Sequence, residues 1–474
     1  MVDSLPDELL VEILDWCRLD DEFRWNHRRR WHNLLQVCRR WRDVMIEWAI
    51  RLKIGFLCNP ANPITTMPSG LIQIPLIIRF KYLYPVPIRF RENLVLALQN
   101  RHRVYGITTS NWGLEDLGLH EALDNAFPML ETFSLTESHA GQVLPLDFVA
   151  PRLRALHLRN IVVSTACLSL PNAMNLSSLR LEKISALPLR YLVESIASMP
   201  LLENISIGFV PYVPLPDAVM DLPSTQITCA VLPRLTRLIF AGFSTYLENL
   251  LTQISTPFLR DLRFTIFLMG IPSVVCLSAF LGTLQNLNFQ TAVMRYSGRY
   301  MTISYHPDRP SVSLPYAKFA IDRRNPGGDW DWETSMLQIC SAVGPALSVV
   351  ESLALELDLE GFHGPDIMAQ PMLWHTVIRP YVGVKTLTIN GAFTAEISDA
   401  LDPNSGTVIT DLLPVLSEVV IVTPEPRDLV LLKQPFSSFI DARRLAGSPI
   451  DLRIIQHRPP SLRPPPISWS FDTF

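Results

Sequence analysis

One short pattern, P-x-L-x-x-φ-x-φ with φ an apolar residue, returns along the chain and constrains its fold more than any other feature. It reads PMLETFSL from Pro128, PRLRALHL from Pro151, PLLENISI from Pro200, PRLTRLIF from Pro233 and PFLRDLRF from Pro257. Copies without the proline are LSSLRL from Leu176 and LQNLNF from Leu284, and a weaker VYGIT starts at Val104. The leading leucines at 130, 153, 176, 202, 235, 259 and 284 are 23, 23, 26, 33, 24 and 25 residues apart. A period of that size allows one short strand and one return segment per copy. Such a unit cannot bury its apolar side alone, so the copies must stack. Each proline is expected to stop a return segment just before the next strand, because the residue preceding proline is steered away from helix.

The spacing resembles that of leucine-rich repeats, which implies an α/β solenoid of horseshoe form. The position where such repeats usually hold asparagine is Ile161, Ile184 and Phe243 in three copies, so an asparagine ladder is missing. Further copies, VESLALEL, VKTLTI and LSEVVIV, begin at 350, 384 and 416, with helices such as Pro371 to Arg379 expected between them and a last strand around Ile450 to Ile455. Between the two sets, Phe289 to Asp322 reads as strands with turns at Ser297-Gly298 and Pro307-Asp308, a meander interrupting the array. Alternation along each strand turns the intervening residues Ser134, His157, Arg180, Ser206, Ile239, Arg263 and Asn288 toward the open face. Arg154, Arg159 and Arg237 lie close by, and Glu131, Glu182, Glu203 and Asp261 partly offset them. Two readings stand: a solvated face of mixed charge, or a surface for an acidic or phosphorylated segment, with Arg154, His157, Arg180, Arg237 and Arg263 as its target-binding residues.

Ahead of the repeats lies a helical module. In SLPDELLVEILDW, Ser4 is suited to cap a helix, Pro6 falls near its first turn, and acids sit at the positive end of the dipole. Leu5, Leu9 and Ile13 recur at i, i+4 and i+8 with Leu10 and Leu14 beside them. The stretch RWNHRRRWHNLLQVCRRWRDV, residues 24 to 44, interleaves arginine with tryptophan and invites a nucleic-acid reading. The charge balance argues against it: the chain has 41 Lys plus Arg against 45 Asp plus Glu, and acids from Asp3 to Glu22 crowd the same segment. Leu34, Val37, Cys38, Trp41, Val44, Met45 and Trp48 follow the 3.6-residue period, which makes Trp41 and Trp48 part of a packing face and turns Arg39, Arg40 and Arg42 elsewhere. Arg28 to Arg30 reads as a solvated loop, with a phosphate-binding role as the alternative.

LPDELLVEIL followed by LLQVCRRWRDV resembles the F-box, a three-helix module, with Leu35, Val37, Cys38, Arg40 and Trp41 matching the family's V-C-x-x-W region. The connection from Arg18 to His32 is longer than the usual F-box loop and is similar to that of F-box proteins of mushroom-forming fungi. The resemblance implies docking on a Skp-type adaptor of a cullin-based SCF ubiquitin ligase. Leu5, Pro6, Leu9, Leu34, Leu35, Val37, Cys38 and Trp41 would form or support that interface. The expected layout is an F-box over 1–52, a Pro-rich connector and helix over 53–100, the repeat array over 101–458 with the strand insert near 289–322, and a Pro-rich tail over 459–474. RPPSLRPPP in that tail is either a polyproline ligand or a plain terminus.

No catalytic signature stands out, and the expectation is a binding protein without cofactor, metal, nucleic acid or membrane among its partners. GGDWDWE, residues 327 to 333, offers three carboxylates near tryptophans, as a sugar site or, more simply, an acidic helix start. His157 stands alone on its strand, weak grounds for a metal or a base. The seven cysteines are far apart and without C-x-x-C, which points to reduced thiols in an intracellular protein, and MVDSLPDELL lacks the basic start of a secretory signal. Residues 264–294 hold no charge before Met294, long enough for a membrane span, but Gly270, Pro272 and Ser273 break the run into an expected strand, turn and helix. The resulting functional expectation is a substrate receptor of an SCF-type ligase, the target held on the repeats. The alternatives are an F-box scaffold that delivers no target and, more remotely, an enzyme built on the solenoid.

Overall fold

The computed structural model describes residues 5–19, 37–48, 55–59, 62–67, 73–80, 88–110, 126–137, 149–162, 173–185, 187–211, 229–267, 275–284, 289–296, 300–307, 317–322, 337–343, 349–357, 371–390, 393–402, 412–423 and 434–456. They divide into two compact units, Met1–Leu235 and Thr236–Phe474. Each has its own ladder of strands, and the repeat stretch read from the sequence is shared between them.

In the first unit, helices α1 (Asp7–Leu19) and α2 (Arg39–Glu47) precede seven strands: β1 (Phe56–Cys58), β2 (Leu76–Phe80), β3 (Val104–Ser110), β4 (Thr132–Thr136), β5 (Ala155–Arg159), β6 (Ser178–Ile184) and β7 (Asn204–Phe209). Each strand lies parallel to the one before it in the sequence. The segment expected as a connector thus holds two strands besides its helix α3 (Ile88–Gln99), because the apolar run LIIRF lies between prolines and is not interrupted by them. A helix α4 (Leu189–Ala197) and a two-residue strand β8 (Ala230–Val231) complete the unit's main elements. Alternate residues supply the core: Phe133 and Leu135, Leu156 and Leu158, Leu179 and Leu181, Ile205 and Ile207 are all buried.

The prolines act one step earlier than the pattern predicts. The N–H of each leading leucine closes a turn onto the carbonyl three residues back, from Leu130 to Phe127, Leu153 to Ala150, Leu202 to Met199, Leu235 to Leu232 and Leu259 to Thr256. Pro128, Pro151, Pro200, Pro233 and Pro257 therefore occupy the second position of a β-turn, where a fixed φ is already correct and no N–H is needed. The strand starts two residues after the leucine in every one of these copies. Ile161, Ile184 and Phe243 are buried, so apolar side chains fill the place of the missing asparagines. Gly106 on β3 sits where a Cβ would come within 2.7 Å of Thr132 Oγ1, which explains a residue without one at this close approach.

The second unit contains β9 (Arg237–Phe243), β10 (Ile254–Ser255), β11 (Asp261–Phe267), β12 (Thr291–Tyr296), β13 (Tyr300–His306), β14 (Ala317–Asp322), β15 (Ser352–Leu357), β16 (Thr386–Asn390), β17 (Glu418–Thr423) and β18 (Asp451–Gln456). Its named helices are α5 (Ser244–Thr252), α6 (Val275–Thr283), α7 (Pro371–Ile378), α8 (Thr394–Ala400) and α9 (Ser437–Leu445), and residues 337–343 are helical as well. The strand order is β9-β11-β14-β13-β12-β15-β16-β17-β18. Leu284 does not keep the register of the preceding repeats: the next strand starts at Thr291 and lies beside β15, while β14 takes the place parallel to β11. The meander is built into the sheet, with β13 antiparallel to both neighbours. A run of rings joins it to the core, Phe240 to Phe264 at 6.5 Å, Phe264 to Phe319 at 5.8 Å, Phe319 to Tyr305 at 6.1 Å and Tyr305 to Phe289 at 5.0 Å between centroids. The uncharged run after Phe264 forms the end of β11, then α6, whose first N–H groups at Cys276 and Leu277 donate to the Glu248 carboxylate at 2.6 and 3.0 Å. Among the described residues no helix is long and apolar enough to cross a membrane.

Candidate functional site

Two surfaces collect the residues singled out by sequence, and the first is the helix pair. Leu10 and Val11 of α1 and Val44 and Met45 of α2 are buried together with Ile74, and Leu5, Trp41, Ile46, Trp48 and Met67 pack against them. The tryptophans do belong to a packing face. Arg40, off that face, has its own partners: its Nε and Nη2 donate to Asp7 Oδ1 at 3.1 and 2.7 Å, and Nη2 also donates to the Leu5 carbonyl, which clamps α2 to the start of α1. The expected continuous period from Leu34 is broken at Cys38, whose sulfur accepts the Trp41 N–H at 3.5 Å as the cap of α2. Leu9, Ile13 and Val37 stay in water, 44%, 40% and 57% exposed. Leu9 and Ile13 are one turn apart, so α1 has a second apolar stripe that the fold of its own unit leaves uncovered. Pro6 is exposed, and Leu5, Cys38 and Trp41 are half-buried. Ser4, Leu34, Leu35 and the long connection through Arg28 to Arg30 lie outside the described residues.

The second surface is the open face of each ladder. In the first unit, Ser134, His157, Arg180 and Ser206 stand in register on adjacent strands, as alternation predicts. Ser134 Oγ and His157 Nδ1 are 3.1 Å apart. The arginines here are committed to a carboxylate: Glu182, with its side chain 1% exposed, bonds Arg180 Nε and lies 3.7 Å from Arg159 Nε and 3.7 Å from His157 Nε2. Glu182 follows Arg180 by two residues and so shares its face, in register with Arg159 of β5, while the β6–β7 pairing slips only after Leu181, with Lys183 at φ 51°. Arg154 is more exposed and lies 4.0 Å from Glu131.

Beside this cluster, just after β4, Glu137 is buried and its carboxyl is pushed up to about 7 by desolvation. Its backbone is pinned by Arg159 and Asn160, whose carbonyl and side-chain amide bond the Glu137 N–H and C=O at 3.0 Å each. Nothing in the repeat pattern marks this glutamate, since it falls one residue beyond the strand.

In the second unit Ile239 and Arg263 are paired in register. Asp261 bridges two of the expected target residues, at 2.9 Å from Arg237 Nε and 2.8 Å from Arg263 Nη2. Sequence reasoning missed the neighbours supplied by the meander. Lys318 pairs with Arg263 across β11 and β14, and Arg295 on β12 donates to Glu356 at 2.6 Å. Burial, then the Arg295 and Arg263 charges, hold the Lys318 ammonium down to about 8. Asn288 and the acidic GGDWDWE stretch fall outside the described residues. Among the described residues no group of three or more His, Cys, Asp or Glu is placed to hold a metal ion.

No family model and no curated protein matches the chain. Among solved structures, a leucine-rich repeat-containing protein, LegL7 from Legionella pneumophila, is similar over 77% of this chain and 98% of its own, with 11% sequence identity and a TM-score of 0.26. So loose a superposition decides nothing. The repeat assignment rests on the parallel ladders, their turn prolines and their buried alternate residues.

Proposed function

We propose that the chain is the target-recognition subunit of an SCF-type ubiquitin ligase, acting inside the cell, with the α1–α2 pair docked on a Skp-type adaptor and a protein target held on the open strand faces. The observation that carries this reading is the uncovered stripe of Leu9 and Ile13, next to Val37, on a helix pair whose own packing is already satisfied by Leu10, Val11, Val44 and Met45. It coincides with the ordered motif LPDELLVEIL and LLQVCRRW. Leu34 and Leu35 join the interface by resemblance alone. The ladders support a binding role, in which the protein contributes proximity and orientation and needs neither cofactor nor bond chemistry of its own.

The test uses the full chain with Leu9→Asp and Ile13→Asp together. Both positions are in water in the free protein, so the fold should persist, whereas docking would bury two unpaired charges at a cost of several kcal/mol. Leu5→Asp is a poorer probe because Leu5 packs on the core cluster. Co-purification with a Skp-type adaptor should be lost in the double variant while its circular dichroism matches the parent. Retention of the adaptor would sink the assignment.

A further inference from the structure

His157 has no acid or nucleophile beside it in the sequence, and the ladder of the first unit supplies both. Ser134 on β4 and His157 on β5 are directly paired, and Glu182 on β6 stands opposite Arg159, two residues further along the same face. Neighbouring strands are about 4.8 Å apart, a spacing at which serine, imidazole and carboxylate can meet in series. Ser134 Oγ lies 3.1 Å from His157 Nδ1, and His157 Nε2 lies 3.7 Å from Glu182 Oε2. His157 Nε2 and Glu182 Oε2 are both buried without a hydrogen-bond partner, so a small shift that joins them gains a bond and breaks none. The carboxylate is itself anchored: its side chain is 1% exposed, Arg180 bonds the other oxygen, and Arg159 lies 3.7 Å from Oε2. An ionised carboxylate only accepts, so it places the imidazole hydrogen on Nε2 and leaves Nδ1 as the acceptor facing the serine hydroxyl.

We propose that Ser134, His157 and Glu182 form a nucleophilic triad that cleaves carboxylic esters, with Ser134 Oγ as nucleophile, His157 as its base and Glu182 as the positioning residue. Attack of Oγ on the ester carbonyl carbon forms the acyl–oxygen bond while the hydroxyl proton passes to His157 Nδ1. The ester C–O bond then breaks, and the departing alkoxide takes that proton and leaves as the alcohol. A water molecule attacks the acyl-serine and gives a proton to His157, and Ser134 recovers it as the carboxylic acid departs. The substrate class is esters with good leaving groups rather than amides. Strand N–H groups around Ser134 are spent on the ladder. The donors beside it on the same face are the hydroxyls of Thr108, its pair on β3, and of Thr136, a weaker cradle for an oxyanion than backbone N–H groups aimed at one point. Ser134, Thr108 and Thr136 are half-buried and the His157 side chain is 26% exposed, so the open face admits a small ester. The activity goes beyond target binding and involves neither α1 nor α2.

The experiment treats the full chain with a fluorophosphonate, whose phosphorus takes Ser134 Oγ and releases fluoride, and reads the modified serines by mass spectrometry. Ser134 should react roughly 100-fold faster than the exposed Ser198 and Ser438. The parent should also turn over p-nitrophenyl acetate, and Ser134→Ala should reduce that turnover to the rate without protein. His157→Ala should slow labelling of Ser134 by roughly 100-fold, and added imidazole should restore part of it, which a merely structural histidine would not show. Glu182→Gln should lower the maximal labelling rate and leave the half-saturating probe concentration unchanged, with circular dichroism reporting that the variant is folded. Labelling of Ser134 in the parent no faster than that of Ser198 and Ser438, labelling undiminished in His157→Ala, or no ester turnover by the parent would overturn the triad, whether or not the Glu182 variant folds. Adaptor capture would still stand in that event, and loss of adaptor capture would leave the triad standing.

Discussion

The two units share a repeat and differ in how faithfully space follows sequence. In the first, every ladder strand from β1 to β7 lies beside its predecessor. In the second, the chain leaves β11, passes through α6 and returns three places further along before β13 and β14 fill the gap. The period guarantees which side of a strand is apolar, since that is a property of a few consecutive residues. It does not guarantee the neighbour, because edge hydrogen bonding is open to any strand that arrives with a matching face. The first unit gathers its face charges around the buried Glu182, whereas the second spreads them over Asp261, Glu356 and a lysine from the inserted strand.

The largest expected effect tests whether rings hold the reversed strands. Phe319 touches Phe264 on one side and Tyr305 on the other, so Phe319→Ala should cost about 3–5 kcal/mol in denaturant unfolding, and Leu158→Ala in the first unit about 2–4 kcal/mol. A Phe319→Ala loss under about 1 kcal/mol would show that backbone pairing alone keeps β13 and β14 in place.

A middle-sized effect concerns the buried acid of the first unit. Glu137 titrates near 7 when folded and in the ordinary glutamate range when unfolded, so the unfolded chain releases its proton first as pH rises. The stability the neutral acid retains is present below the unfolded value and is lost between about 4.5 and about 7. Glu137→Gln should therefore match the parent at acid pH and exceed it by roughly 3 kcal/mol at pH 8. A constant difference across that range would place the titration elsewhere.

The smallest effect sharpens the turn rule common to both units. Pro151→Ala should lower stability by roughly 0.4–1 kcal/mol through the unfolded chain, and Val382→Pro should raise it by a similar amount. Val382 holds the proline's place in a turn closed by the Val384 N–H on the Tyr381 carbonyl at 3.3 Å. Thermal melts of the two variants should move in opposite directions, and a destabilised Val382→Pro would mean that this turn differs from its Pro-bearing counterparts.

Most of the ladder was legible because alternation and turn chemistry are local. Leucine followed two residues later by a strand holds from Leu130 to Leu259 and, with Val350, Val384 and Leu416, through the later copies. It fails at Leu284, where nothing in LQNLNF reveals that the next strand will pair with β15. Ser134, His157, Arg180 and Ser206 in the first unit, and Ile239 and Arg263 in the second, stand in register as expected, yet their ion partners were not foreseen in full. Glu182 was counted as an offsetting surface acid and is buried beneath Arg180, Arg159 and His157, and Arg40, which periodicity turned away from the packing stripe, is held by Asp7.

The sequence by itself determined the repeating unit, the inward rows of leucine, isoleucine and phenylalanine, the proline turns, and an amphipathic helix pair built around Trp41 and Trp48. Only the tertiary structure decided that β14 lies beside β11, that Lys318 therefore stands next to Arg263, and that α1 keeps Leu9 and Ile13 in water while Leu10 and Val11 close its core. The physical reason is one of range. Side-chain polarity along a few residues fixes a strand's or helix's faces, while burial, ion pairing and proton affinity depend on which distant segment covers them, and that choice is made by the competition among all the surfaces the chain can bring together.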